Sequence, residues 1–299
     1  MSKKTTPDGV LVGVDGSSSS VEAVRWAARA AAMRHVPLSL IHVAASSPFP
    51  ASTLAWPAGR VPEEVLEIRE SNARNVIGDA IKIAENSVEG DRPEVHSEVC
   101  LGKPVPTLVD RSKEADLLVV GCHGRTGLLE RLLGSVSTGL LHHAHCPVAV
   151  IHDERSSRHQ STHLPVLVGI DGSRASNLAI AIAFDEASWR GVDLVALHAW
   201  ADEDMSLYSS IDESALRSAA NKTLAESLAG WQDRYPEVAV HRLVELDKPA
   251  RQLLDRSQRA QLVVVGSHGR GAFAGMLLGS VGATVAQAAH VPVIVARQH

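Results

Sequence analysis

The sequence predicts an α/β protein of two tandem domains, each a five-stranded parallel sheet with helices on both faces. Two observations carry this. The chain of 299 residues is written twice, block by block, in the same order. Within each half, short Val/Ile/Leu runs alternate with stretches of helical periodicity, the pattern of strands buried on both faces under helices. The length also suits two domains of about 150 residues each.

The repeated blocks are easily aligned. "GVDGS" at residues 13–17 returns as "GIDGS" at 169–173, and "PLSLIHV" (37–43) as "DLVALHA" (193–199). "GKPVPTLVDRSKEADLLVVGCHGR" returns as "DKPARQLLDRSQRAQLVVVGSHGR", and "HCPVAVI" (145–151) as "HVPVIVA" (290–296). A polar, Ser-rich stretch, "DERSSRHQSTH", separates the halves. It reads as a linker at 153–163 between domains 1–152 and 164–299.

The elements of the first half follow in order. "GVLVGVD" reads as a buried strand, and the serines after it suit the capped start of the helix "VEAVRWAARAAAMR". "PLSLIHV" is the second strand, and residues 62–87 form a long amphipathic helix. "EVHSEVC" is the third strand, "KPVPTLVDRSKE" a helix, "DLLVVG" the fourth strand and "PVAVI" the fifth. Open sheets of this kind bind ligands beyond the carboxyl ends of strands, where the winding reverses. Strand one, ending at Asp15, and strand four, ending at Gly121, are the candidates for that place.

Composition excludes several classes. Hydrophobic residues are 45% and charged residues 21%, with a net charge of −5, so no basic surface for nucleic acid is indicated. Aromatics are 3%, too few for a base-stacking platform. No apolar run approaches the ~18 residues of a membrane span, and the polar start does not read as a signal peptide. Three cysteines, Cys100, Cys122 and Cys146, lack a CxxC spacing. The expectation is a soluble cytoplasmic protein.

Two glycine loops stand out: "GCHGRTGLLERLLGSVS" (121–137) and "GSHGRGAFAGMLLGSVG" (266–282). Both have the pattern G-x-x-G-x9-G-S after a Val-rich strand. Glycine at such positions suits positive φ and close approach of a ligand to the backbone. Ser135 reads as the N-cap of the next helix. Free N–H groups at that helix start, with Arg125 and Arg131 nearby, suit phosphate.

With these motifs the chain resembles the universal stress protein family, tandem two-domain mycobacterial type, ATP-binding branch. The resemblance implies two Rossmann-like (adenine nucleotide alpha hydrolase-like) domains and one ATP site in each, optionally with Mg²⁺. Carried over residue by residue, it implies a first site of Gly13, Val14, Asp15, Val43, Gly121, His123, Gly124, Arg125, Arg131, Gly134, Ser135, Val136 and Ser137. The second site is then Gly169, Ile170, Asp171, Ala199, Gly266, His268, Gly269, Arg270, Gly279, Ser280 and Val281. The aspartate would lie beside the nucleoside, the end of strand two against adenine, and the glycine loop around ribose and phosphates. Gly282 replaces Ser137, so the second site is expected to bind more weakly. The resemblance also implies pairing of the last strands between the lobes, and a homodimer of chains. The role expected is that of a stress-response and growth regulator acting as a nucleotide sensor.

Other readings are weaker. His142, His143, His145 and Cys146 form a metal-like cluster, but only the histidine at 145 recurs, as His290. Cys122 is replaced by Ser267 and reads as a small loop residue. No G-x-x-x-x-G-K-[ST] loop is present, and no lysine stands beside the glycine turns. A Rossmann dinucleotide enzyme would need G-x-G-x-x-G after strand one, which is absent. A slow ATPase or self-phosphorylating enzyme is the alternative. The variable segments 46–62 and 201–210 are candidate lids or partner surfaces.

Overall fold

In the computed structural model, residues 8–44, 63–124, 133–152, 163–199, 213–245, 247–269 and 278–297 are described. Arg125, Arg131, Arg270, linker residues 153–162 and the candidate lids 46–62 and 201–210 lie outside them.

The first half runs β1 (Gly9–Gly13), α1 (Ser18–Arg34), β2 (Leu38–Ala44), α2 (Glu63–Asn86), β3 (Val95–Leu101), α3 (Pro104–Arg111), β4 (Ala115–Gly121), α4 (Ser135–His143) and β5 (Val148–Ile151). The second repeats it as β6 (Val166–Gly169), α5 (Arg174–Arg190), β7 (Leu194–Ala199), α6 (Glu213–Ser227), a short extra α7 (Trp231–Arg234), β8 (Val240–Glu245), α8 (Pro249–Ser257), β9 (Leu262–Gly266), α9 (Ser280–Ala288) and β10 (Val293–Ala296). Local chemistry explains the helix ends. Ser17 caps α1 by accepting from Ser20 N at 3.2 Å, and Ser173 caps α5 in the same way. Pro104 and Pro249 open α3 and α8, where the missing N–H costs nothing.

Strands of one half run parallel to one another, and β5 pairs with β10 antiparallel, Val150 facing Val293 and Val148 facing Val295. The result is one ten-stranded sheet, ordered β3-β2-β1-β4-β5-β10-β9-β6-β7-β8. Strand alternation divides the core between the two faces. Val10, Val12, Leu117, Val119, Ala149 and Ile294 face the side covered by α1 and α5. Leu11, Leu118, Val120, Val148, Val150 and Val293 face the side of α3, α4, α8 and α9. Both clusters cross the seam between halves. Because the halves meet antiparallel, the carboxyl ends of their strands point to opposite edges of the sheet.

One charge network sits at the seam. Glu186 on α5, 1% exposed, accepts from Arg190 Nε at 2.9 Å and from Arg34 at the end of α1. The guanidinium of Arg34 lies 4.7 Å above the Trp189 ring, and that of Arg190 lies 5.6 Å above Trp26. Burial alone would raise the Glu186 pKa, but the two guanidinium groups hold it below the ordinary glutamate range. Removing this carboxylate leaves two arginines without their shared partner. Glu186→Gln is expected to lower the unfolding free energy by about 3–5 kcal/mol in urea titrations at neutral pH. A depressed carboxylate stabilises above its unfolded pKa, 4.5, and that contribution is lost as pH falls through the lower folded value. The gap between wild type and variant should therefore close only below pH 4.5.

Candidate functional site

In each half the winding reverses between the first and fourth strands. β1 lies between β2 and β4, and β6 lies between β7 and β9. The turn after β1 and the loop after β4 therefore open side by side at one sheet edge, as do those after β6 and β9.

The turn after β1 is built by hydrogen bonds that local sequence permits. Val14 N donates to Ile41 O at 2.8 Å, carrying the strand one residue further. Gly16 takes φ of 80° and Gly172 of 77°, values that favour glycine. The chain then turns into the helix cap. Asp15 Oδ1 accepts from Ser17 N at 2.9 Å and from Ser17 Oγ at 2.6 Å. Asp171 Oδ1 accepts from Ser173 N at 2.9 Å. The Asp15 and Asp171 amides donate to Ser20 Oγ and Ser176 Oγ, each at 3.2 Å.

The other carboxylate oxygen reaches the glycine loop. A Cβ at Gly124 would lie 3.0 Å from Asp15 Oδ2, and one at Gly269 would lie 2.8 Å from Asp171 Oδ2. These glycines are small so that an aspartate from the first strand can press against the loop after the fourth. Gly134 N donates back to Cys122 O at 2.8 Å, and Gly279 N to Ser267 O at 2.7 Å. These bonds hold the starts of α4 and α9 beside the ends of β4 and β9. The N–H groups of Ser135, Val136 and Ser137 precede the first intrahelical bond, which runs from Thr138 N to Gly134 O. Ser280, Val281 and Gly282 stand in the same way before Ala283 N and Gly279 O. Backbone donors and the positive end of a helix dipole thus lie next to a carboxylate-bearing turn, twice.

This duplicated arrangement has known relatives. The universal stress protein family model matches residues 8–152 and again 164–297. The chain belongs to that family. Universal stress protein Rv2623 of Mycobacterium tuberculosis is 56% identical over 100% of this chain and 99% of its own. Universal stress protein Rv2005c of the same species is 50% identical over 100% of both. A crystal structure of a universal stress protein from Archaeoglobus fulgidus, 21% identical, covers 98% of this chain and 99% of its own with a TM-score of 0.68. It shares the fold.

In this universal stress protein several expectations need correction. Ser135 is not the N-cap of α4; Gly134 is, with ψ of 159°, and Ser135 is the first helical residue. Gly279 caps α9 in the same way. The reason is the back-bond to Cys122 O, which holds residue 134 extended. Positive φ is used at Gly16 and Gly172, not at Gly121, Gly124 or Gly134. The missing side chain at Gly121 makes room for α1: a Cβ there would lie 2.5 Å from Ser19 Oγ and 2.7 Å from Ser19 C. Gly266 is crowded by Ala175 and Ser176 in the same way. Gly13 and Gly169 give their space to Leu108 and Leu253. The Ser137 hydroxyl donates to Gly121 O at 2.7 Å, so it tethers α4 to β4 and is not aimed at a ligand. A Cβ at Gly282 would lie 3.0 Å from Gly266 O, so α9 approaches its strand closely at the same place.

Other residues escaped the sequence reading. His42 Nδ1 lies 2.7 Å from Val14 O, and His198 Nδ1 lies 2.6 Å from Ile170 O. Since a carbonyl only accepts, both rings carry their proton on Nδ1 and pin the first turn to the second strand, just before Val43 and Ala199. The recurring histidine in "LIHV" and "ALHA" was the available signal. Ser19 Oγ donates to His123 O, tying α1 to the first loop, and Ser173 Oγ donates to His268 O at 3.2 Å. His123 Nδ1 lies 2.9 Å from Cys122 Sγ, and His268 Nδ1 lies 2.9 Å from Ser267 Oγ, so each loop turns its histidine ring back on the preceding side chain.

A cavity of about 560 Å³ opens beside Asp15 between the β1–α1 turn and α2, walled by Val14, Ser20, Asn72, Asn75 and Val76. A larger cleft of about 740 Å³ at the α1–α5 seam shares no lining residue with it. Among the described residues no three His, Cys, Asp or Glu side chains are grouped to hold a metal, and no helix is long and apolar enough to cross a membrane. His145 bonds structurally, its amide donating to Ser112 Oγ at 2.9 Å.

The packing reading of Gly121 has a direct check. Gly121→Ala is expected to lower the unfolding free energy by about 1–3 kcal/mol through overpacking against Ser19. Gly78→Ala, in the middle of α2 with open space around it, should raise it by roughly 0.5–1 kcal/mol. Urea unfolding of both variants without ligand measures the pair. A neutral Gly121→Ala would remove the packing argument.

Proposed function

We propose that this universal stress protein binds one adenine nucleotide, ATP, in each of its two halves, 1–152 and 164–299, and works as a nucleotide sensor. The observation that supports this most is the meeting of Asp15 with Gly124 beside the start of α4, repeated at Asp171, Gly269 and α9. Backbone amides at the helix starts address the phosphates. The aspartates stand where ribose hydroxyls would donate to them, and Val43 and Ala199 stand at the strand ends where a base would rest. A Mg²⁺ ion would be held chiefly by the phosphates, since each turn brings one carboxylate.

The first half is the more tightly tied. Ser19 reaches His123 O, and Ser137 reaches Gly121 O. The second half has Ala175 and Gly282 in place of Ser19 and Ser137. Pre-organisation lowers the ordering cost of binding, so the second site is the weaker.

Calorimetric titration with ATP tests both points. Wild type should take up two equivalents. Gly134→Glu and Gly279→Glu, which place a carboxylate at the helix start, should each leave one. The site surviving in Gly134→Glu should be the weaker by about three-fold or more, in line with one or two lost tethers. Equal affinities would overturn the ranking, and absence of ATP uptake by wild type would overturn the reading itself. Incubation with labelled ATP separates binder from hydrolase: the nucleotide should come back unchanged, and many turnovers per minute would instead favour the enzyme.

A further inference from the structure

The residue after the last strand of each half reaches into the other half. Arg297, following β10, is 5% exposed and donates from its guanidinium to Leu141 O in α4. His152, following β5, places Nε2 3.1 Å from Ala286 O in α9. Arg297 and His152 hold the same place in the repeat, and so do Leu141 and Ala286. The two contacts are thus one contact made twice, with different donors.

The acceptors are carbonyls that their own helices leave open. In α4 the final helical bond runs from Ala144 N to Leu140 O at 2.9 Å, and in α9 from Ala289 N to Val285 O at 3.0 Å. The next amide, of His145, turns away to Ser112 Oγ. Leu141 O and Ala286 O then need donors from elsewhere, as the last carbonyls of any buried helix do. A cation at the carboxyl end of α4 also faces the negative end of that helix dipole.

The residues just before these two are joined to the glycine loops of their own halves. Cys122 N donates to Ile151 O at 2.8 Å, and Ser267 N donates to Ala296 O at 2.9 Å. Each strand end thus holds its own loop by the backbone and the opposite helix by the next side chain. α4 and α9 are the helices whose amino ends address the candidate ligand.

We propose that Arg297 and His152 are positioning residues, each setting the helix of the nucleotide site in the opposite half. The two sites are thereby joined across the seam. This rests on the reading that α4 and α9 receive nucleotide phosphates. Burial drives the His152 pKa down to about 4, so the ring is neutral at pH 7 and its Nε2 donates as N–H.

The test uses the full chain with one site blocked. In the Gly279→Glu background only the first-half site binds. Adding Arg297→Met there should weaken ATP binding about three- to ten-fold, while Arg297→Lys should restore part of it. In the Gly134→Glu background Arg297→Met should leave ATP binding unchanged. His152→Leu should do the reverse, weakening only the second-half site. Loss confined to the variant's own half, equal loss at both sites, or no loss would overturn the proposal. Should Arg297→Met not fold, His152→Leu carries the test from the other side. Hydrogen exchange without ligand separates the two readings. Arg297→Met should speed exchange in the last turn of α4 and leave α9 unchanged, whether or not wild type binds ATP; unchanged α4 exchange would overturn the cross-lobe contact.

Discussion

The antiparallel pairing of β5 with β10 is the constraint on which everything else depends. All eight residues of these strands are buried, so the seam is core and not surface. It joins two parallel sheets into one and turns them end for end. That inversion sends the two Asp-bearing turns to opposite edges of the sheet, and it brings the residue after each last strand, His152 or Arg297, to the other half's glycine-loop helix.

Most of the architecture was legible because it rests on periodicity. Strands such as "DLLVVG" and "PVAVI" are apolar throughout since both faces are covered, and the repeat repeats every such run. The meeting of the turn after the first strand with the loop after the fourth was legible too, because the winding of each parallel half reverses there. The glycine loops were expected to use positive φ, which Gly121, Gly124 and Gly134 do not take. A glycine in sequence signals only that something comes close. It does not say whether the neighbour is a ligand, an aspartate or a helix. At Gly124 it is Asp15, and at Gly121 it is the backbone of α1; only coordinates separate these. Ser135 was misplaced by one residue because a serine before a helix is the usual cap, whereas the bond from Gly134 N to Cys122 O shifts the cap back by one.

His42 and His198 show a different limit. Their recurrence was visible, but a lone histidine in an apolar strand is as often a packing residue as a polar one. Its role emerges from the carbonyl it meets, Val14 O or Ile170 O, which belongs to a turn 28 residues away in sequence. The cross-lobe contacts of Arg297 and His152 were further out of reach, for they depend on the seam and on which carbonyls α4 and α9 leave open.

The Glu186 network shows what covalent fusion of the halves allows. The two arginines that grip it, Arg34 and Arg190, occupy matching places in the repeat, yet the carboxylate has Ala30 as its counterpart. Two identical chains related by a twofold axis would have to carry a carboxylate on both helices or on neither. A single chain escapes this rule, since a change written into one copy is not copied into the other. The same freedom lets one lobe close with histidine and its twin with arginine. Fusion also holds the lobes at a fixed effective concentration, so that their pairing does not weaken on dilution. Near-symmetry here is a starting pattern from which each half is free to depart.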